Sequence, residues 1–555
     1  MPFIFITQPF AGAPQFPELS NRNILVLSGK TSAVPSSADF IEGSNISIGH
    51  LGLVAGAFDT LGIAPVIDRA IPKTRQYHLT HGDIVKAVVL NGLGFVEPRL
   101  YLYPAFFSDI AIERLLGEGV TTDHLNDDVL GRTLDAIALF GPTELFNEIV
   151  VECLLASDYG THCLHVDTTA FSVSGDYDVD FDSRDITLTH GRPKDGRWDL
   201  KQFVLGTATD QHGIPLFLQA FSGNESDKKT LMRSSPSSPK TCSIRARSTI
   251  SLMPRSIPPR MSPPLAPIPS WISRVPATLN EVKDLVVADL DLQPCADERY
   301  QYAEHASEYA GIPQKWVVYH SVPMQERQEK TFEKRLETDK KQAETSLRKL
   351  GAREFACEPD ARIAAEKWLQ EHPQFCFTSL DIRVITRKKE KKRGRPKADE
   401  PVELAYTVVA EIEHDPCAVE EKRQKLGQFI LATNDRDLSP DELLKNYKQQ
   451  GAVERGFRFL KDPSFRVAEI FLKKPSRIHA LVITMVICLF IYAMTEFRLR
   501  RGLQNASETV TGQTKKQNQN PTLKWTFFLF RGVMELSFRA IDGVKVLVTP
   551  SSAVR

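Results

Sequence analysis

Leu443-Leu-Lys-Asn-Tyr-Lys-Gln-Gln-Gly-Ala-Val-Glu-Arg-Gly-Phe-Arg-Phe-Leu-Lys-Asp-Pro463 is the stretch on which the reading of this chain turns. Tyr447, Glu454 and Lys461 are spaced by seven and seven. Seven residues fall about 20° short of two helical turns, so a helix here carries all three on one face. Gln450 and Arg458 lie beside that stripe, and Pro463 marks the expected helix end. The face offers a phenol, an amide, a carboxylate and two cations, a set suited to gripping phosphates around a metal-bound carboxylate. Taken alone, the pattern equally describes the charged solvent face of an amphipathic helix.

The chain has 555 residues, 42% hydrophobic and 25% charged, which suits roughly two to four globular domains. Lys plus Arg balance Asp plus Glu at 69 each. With no global basic field, a nucleic-acid partner must be held by local patches. The eight cysteines show no C-x-x-C pair, which excludes a disulfide framework and the common zinc motifs and fits a reducing cytosol. At His162-Cys163-x-His165, strand alternation puts Cys163 and His165 on one face and His162 on the other, short of a full zinc set, so no metal site is expected there. Met1 to Ala11 has no basic n-region and makes a poor secretion signal.

Residues 1–44 read as a weakly ordered extension and 45–158 as a helical N-terminal domain, with apolar residues recurring at three and four around Ile84 and Leu134. His162 to Val173, Gln202 to Thr209 and Ile214 to Phe221 read as strands, the last two a hairpin about Asp210-Gln-His-Gly213. These open an α/β nuclease-type sheet over 159–231. Residues 232–270 form an aberrant tract, 271–426 an insertion domain, 427–500 the second half of the core and 501–555 a C-terminal tail. His479 to Met494 is the most hydrophobic segment. At about sixteen residues it is short of the roughly twenty of a spanning helix and reads as a buried core helix, so no membrane is expected. Arg393-Gly-Arg-Pro396, inside a basic run, suits an A·T-rich minor groove through Arg393 and Arg395, and suits a solvated charged loop as well.

Tyr447, Gln450, Glu454 and Lys461 resemble the Tyr-x2-Arg-x3-Glu-x6-Lys signature of bacterial insertion-sequence DDE transposases, with Gln450 where that signature has arginine. Gly427-Gln-Phe-Ile-Leu-Ala-Thr-Asn434, His165-Val-Asp-Thr-Thr169, Asp199-Leu-Lys-Gln202 and Asn224-Glu-Ser-Asp227 are similar to the same family. The resemblance implies an RNase H-like mixed sheet, interrupted by the insertion domain and preceded by the helical domain. It also implies an Asp, Asp, Glu triad around two Mg²⁺ ions, with Mn²⁺ as a substitute. Asp167 maps to the first acid and Glu454 to the last. Such enzymes cleave transposon-end phosphodiesters and transfer the strand by two-metal in-line attack. Tyr447, Gln450, Arg458 and Lys461 would contact DNA, with Gln450 weakening one charge-assisted contact. The implied partners are double-stranded DNA, namely the terminal inverted repeats of its own element and target DNA, and a second copy when two ends are synapsed. The implied location is the cytoplasm, at the nucleoid.

The second aspartate is expected after Asn224-Glu-Ser-Asp227 and before Trp271, where Met232 to Ser270 holds nine prolines, ten serines, five arginines and no Asp or Glu. Asp289 follows Val286-Val-Ala but lies on the wrong side of Trp271. A shifted reading frame accounts for the tract. Codons built from the last base of one residue and the first two of the next permit Ile-Ala-Asp-Ala-Ala-Phe-Tyr-Thr-Ala-Glu-Asn across Ile250 to Met261. The chain is therefore expected to be catalytically defective and to lack one core strand. The alternative class is a non-catalytic DNA-binding relic that occupies transposon ends.

Overall fold

The structure is a computed structural model that describes residues 24–25, 42–73, 78–95, 100–156, 159–161, 163–175, 177, 186–191, 193, 196–225, 249–252, 270–288, 290–309, 311–388, 402–461, 474–540 and 543–549. The chain divides into two compact units, residues 1–271 with 446–555, and residues 272–445. Arg393, Arg395, Asp289, His162 and most of the 1–44 extension fall outside the described residues.

The first unit opens with strand β1 (Glu42–Ser47) and the helices α1 (Leu51–Thr60), α2 (Ile63–Ala70), α3 (His81–Leu93), α4 (Asp127–Phe140) and α5 (Pro142–Leu155). A capping box starts α3: the Asp83 N–H donates to Thr80 Oγ1 at 3.0 Å and the Thr80 N–H donates to the Asp83 carboxylate at 2.9 Å. Gly82 fits where α3 passes α2, since a β-carbon there would meet the Ala64 backbone at 2.7 Å.

Four strands carry the site: β2 (Cys163–Val173), β3 (Lys201–Asp210), β4 (Pro215–Ser222) and β5 (Thr249–Leu252). Their order is β4-β3-β2-β5. β2, β3 and β4 form an antiparallel meander, and β5 runs parallel to β2. The β3–β4 turn is fixed by Asp210, whose carboxylate accepts the N–H groups of His212 at 2.9 Å and Ile214 at 2.8 Å. One expectation is corrected here. The tract does not cost the sheet its fourth strand, because Thr249 to Leu252 pair with Cys163 to Val166. A ladder needs backbone groups and alternation, and Thr-Ile-Ser-Leu supplies both.

In the second unit, β6 (Trp271–Arg274), β7 (Tyr300–Tyr309), β8 (Ile312–Ser321) and β11 (Gln428–Thr433) form one antiparallel set, with β9 (Phe375–Lys388) and β10 (Val402–His414) as a separate ribbon. β11 pairs with β8 from Gln428↔His320 to Thr433↔Lys315. This unit runs to Lys445. Helices α6 (Val322–Gly351) and α7 (Glu358–Glu371) cover the ribbon through a core that includes Leu347, Ala365, Trp368, Phe375 and Val408.

After α8 (Pro440–Gln449) and α9 (Gly451–Leu460) comes α10 (Pro475–Ala506), which packs against α3, α4 and α5 in the first unit. Among the described residues α10 is the one helix long and apolar enough to cross a membrane. Its apolar stretch is buried inside the unit, with Ile478, Val486, Ile487 and Phe490 at 0% exposure. Arg477 anchors its start by donating from Nε and Nη2 to the two Asp135 oxygens, each at 2.6 Å. The chain ends in a helix at Leu523–Phe530 and a hairpin of β12 (Met534–Ala540) and β13 (Gly543–Thr549). β12 pairs with β1, so residues from the presumed C-terminal tail complete a sheet with the start of the helical region.

Candidate functional site

Asp167 sits midway along β2, 8% exposed, with its Oδ1 accepting the Thr168 N–H at 2.7 Å. Strand alternation puts His165, Asp167, Thr169 and Phe171 on one face. Their antiparallel partners are Thr209, Thr207, Leu205 and Phe203. The Phe171 and Phe203 rings stack with centroids 5.4 Å apart. On the same face, the Lys461 ammonium lies over the Phe171 ring, 5.4 Å from its centroid. Helix α9 thus packs against β2 and β3 on the side that carries Asp167.

Glu454 stands in the first turn of α9, exposed, and Arg458 and Lys461 follow it on the same exposed side. Phe457 and Leu460 are the buried residues that anchor the helix, at 8% and 1% exposure. The single helix expected across Tyr447, Glu454 and Lys461 is broken at Gln450. Tyr447 belongs to α8 and Glu454 to α9. Gly451 weakens a continuous helix there by about 1 kcal/mol relative to alanine. Gln450 is 6% exposed, and its Nε2 has no hydrogen-bond partner among the described residues. Burial takes it off the surface, where a DNA-contacting amide was expected. Tyr447 is half-buried, and Arg455, which lies off the seven-residue stripe, is exposed beside Glu454.

Beneath this surface lie two polar groups that the sequence reading did not single out as site residues. His165 is 0% exposed, and among the described residues neither its ring nitrogens nor the Thr209 Oγ1, 2% exposed, find a hydrogen-bond partner. Burial pushes the His165 imidazole down to about 4. At the far end of β3, burial pushes the Asp210 carboxyl up to about 7, and Tyr159 donates its hydroxyl to it.

The donor set does not assemble the three-carboxylate centre implied by the resemblance. Among the described residues, no group of three or more His, Cys, Asp and Glu side chains converges to hold a metal ion. Asp167 and Glu454 are present, and the strand beside Asp167 contributes Thr249, Ile250, Ser251 and Leu252, none of them an acid.

Residues 277–491, which include Tyr447, Glu454 and Lys461, match the family described as Transposase DDE domain, and residues 44–151 match a Domain of unknown function (DUF4277). The similarity to a transposase DDE domain covers residues 277–491, less than half of the chain. No curated protein matches it.

Proposed function

We propose that this chain descends from a transposase with an RNase H-like core, that it binds the terminal inverted repeats of its own element, and that it lacks the strand-cleavage chemistry of its ancestors. One observation carries the reading. β5 runs parallel to β2 with Leu252 registered on Val166, one residue before Asp167. In the alternative frame, the aspartate codon straddles Leu252 and Met253. The missing acid thus belongs at the end of the strand beside Asp167, where a second carboxylate would share a cation with the first. The strand order β4-β3-β2-β5, with three antiparallel strands and a parallel fourth, supports the RNase H-like reading.

The residues that remain suit DNA binding. Arg458 on α9 and Lys461 at its C-terminal cap are exposed on the side of Glu454 and can pair with phosphates. Family-level chemistry is phosphodiester cleavage and strand transfer, and this copy retains two of the three acids it uses. The test is a gel shift on terminal-repeat duplexes run beside a cleavage assay in Mg²⁺. A shift without cleavage is the expected result, and efficient cutting would refute the defect. The nucleotide sequence of the gene provides a second test: neither alternative frame encoding Ala-Asp across this window would remove the frameshift explanation.

A further inference from the structure

Three polar side chains share one face of the β2–β3 ladder without belonging to the surface that α9 presents. His165 and Asp167 are two residues apart on β2, and Thr209 is the direct partner of His165 on β3. Directly opposed residues of an antiparallel pair project to the same side with β-carbons about 4.5–5.5 Å apart. His165 is 0% exposed and Thr209 2%, and among the described residues no hydrogen-bond partner meets either imidazole nitrogen or the hydroxyl. Buried polar groups left unmatched are destabilising, and two of them facing each other localise the demand to one spot. Asp167, 8% exposed, adds a carboxylate along the same face, and a buried carboxylate favours a cation within reach.

We propose that His165, Asp167 and Thr209 bind one divalent transition-metal ion through an imidazole nitrogen, a carboxylate oxygen and a hydroxyl oxygen. The inference rests on the reading of Asp167 as a metal ligand, and it differs from the two-ion carboxylate centre in using an imidazole. Imidazole suits cobalt, zinc and similar ions better than magnesium, which prefers all-oxygen sites. Met is the informative substitute at 165, because a thioether fills the volume and removes both idle nitrogens.

The experiment titrates Co²⁺ alone into the chelator-treated full chain and reads the visible absorption of the bound ion together with the melting temperature. One Co²⁺ per chain is expected, with a ligand-field band showing nitrogen and oxygen ligation and a rise in melting temperature. H165M should melt no lower than wild type in metal-free buffer and lose both Co²⁺ effects. T209V should weaken Co²⁺ binding by about tenfold. No Co²⁺ band in wild type, or an unchanged band in H165M, overturns the proposal. If H165M does not fold, T209V decides, and an unchanged affinity there overturns it. A D167N chain that loses the ion while H165M keeps it overturns the imidazole ligand but leaves Asp167 a metal ligand. Gel shifts on terminal repeats test the transposase reading independently.

Discussion

The Lys461 ammonium lies 5.4 Å from the centroid of the Phe171 ring, and this contact joins the end of the glutamate helix to the strand that carries Asp167. Phe171 is 2% exposed and stacks on Phe203. Phe171→Ala should therefore cost about 3–5 kcal/mol of unfolding free energy, as large buried aromatics do. Lys461→Ala removes an exposed cation–π contact and should cost about 0.5–1 kcal/mol. Urea denaturation of the three chains checks both values; equal losses would mean that the ring contributes no packing beyond its contact with the lysine.

Arg458 on α9 and Lys461 at its C-terminal cap are exposed. Each phosphate contact removed should lower the salt slope of DNA binding by about 0.9. Arg458→Ala and Lys461→Ala should each do so on a terminal-repeat duplex, whereas Glu454→Gln should leave the slope unchanged. Fluorescence anisotropy across a range of salt concentrations measures it. Slopes that stay constant in all three variants would take α9 out of the DNA contact.

Asp210 makes the stability of the first unit pH-dependent. Burial raises its folded-state value to about 7 from an ordinary value of 3.8. Between these limits the folded chain keeps a proton that the unfolded chain has released. Its stabilisation is thus fully present below about pH 4 and is lost as pH rises through about 7, by at most about 4 kcal/mol. Asp210→Asn keeps an acceptor for the N–H groups of His212 and Ile214 and should flatten that decline. The observable is the difference between wild-type and variant melting temperatures from pH 4 to 8; a constant difference would mean that Asp210 does not titrate in this range.

Arg477 and Asp135 join α10 to α4 by a two-pronged ion pair at 2.6 Å. The arginine hydrogen bond holds the Asp135 carboxyl below the usual range. Their side chains are 28% and 40% exposed, so solvent screening limits the coupling to about 1 kcal/mol. A double-mutant cycle of Arg477→Ala and Asp135→Ala measures it, and a coupling near zero would assign the helix contact to apolar packing alone.

Replacing residues 232–270 with the alternative-frame translation should restore cleavage of a transposon-end duplex, and Asp167→Asn in that repaired chain should abolish it again. A repaired chain that folds and binds DNA but still does not cut would locate the defect elsewhere.

The strands around Asp167 were legible because their periodicity is two and a turn sequence separates β3 from β4. The buried nature of His479 to Met494 was legible from its length. The break at Gln450 was not, because the seven-residue spacing of Tyr447, Glu454 and Lys461 carries the same signal whether one helix or two spans it. Burial of Gln450 and the idle groups of His165 and Thr209 depend on which residues oppose each other across a ladder, and spacing along one strand contains no such information. The sheet formed by β1, β12 and β13 was also hidden, since its partners lie at opposite ends of the chain. β5 is hidden by the composition of the proline-rich tract, inside which four suitable residues are enough for a ladder.

The pairing of Thr249 to Leu252 with β2 also bears on how such a copy survives. Main-chain hydrogen bonds do not register which reading frame wrote the side chains, so an event that erases an active-site acid can leave the adjoining strand edge covered. Uncovered edges recruit other chains and lead to aggregation. Under the proposed reading, loss of chemistry and exposure of a sheet edge are separate events, and a gene damaged in this way would still yield a chain able to compete for the same DNA ends.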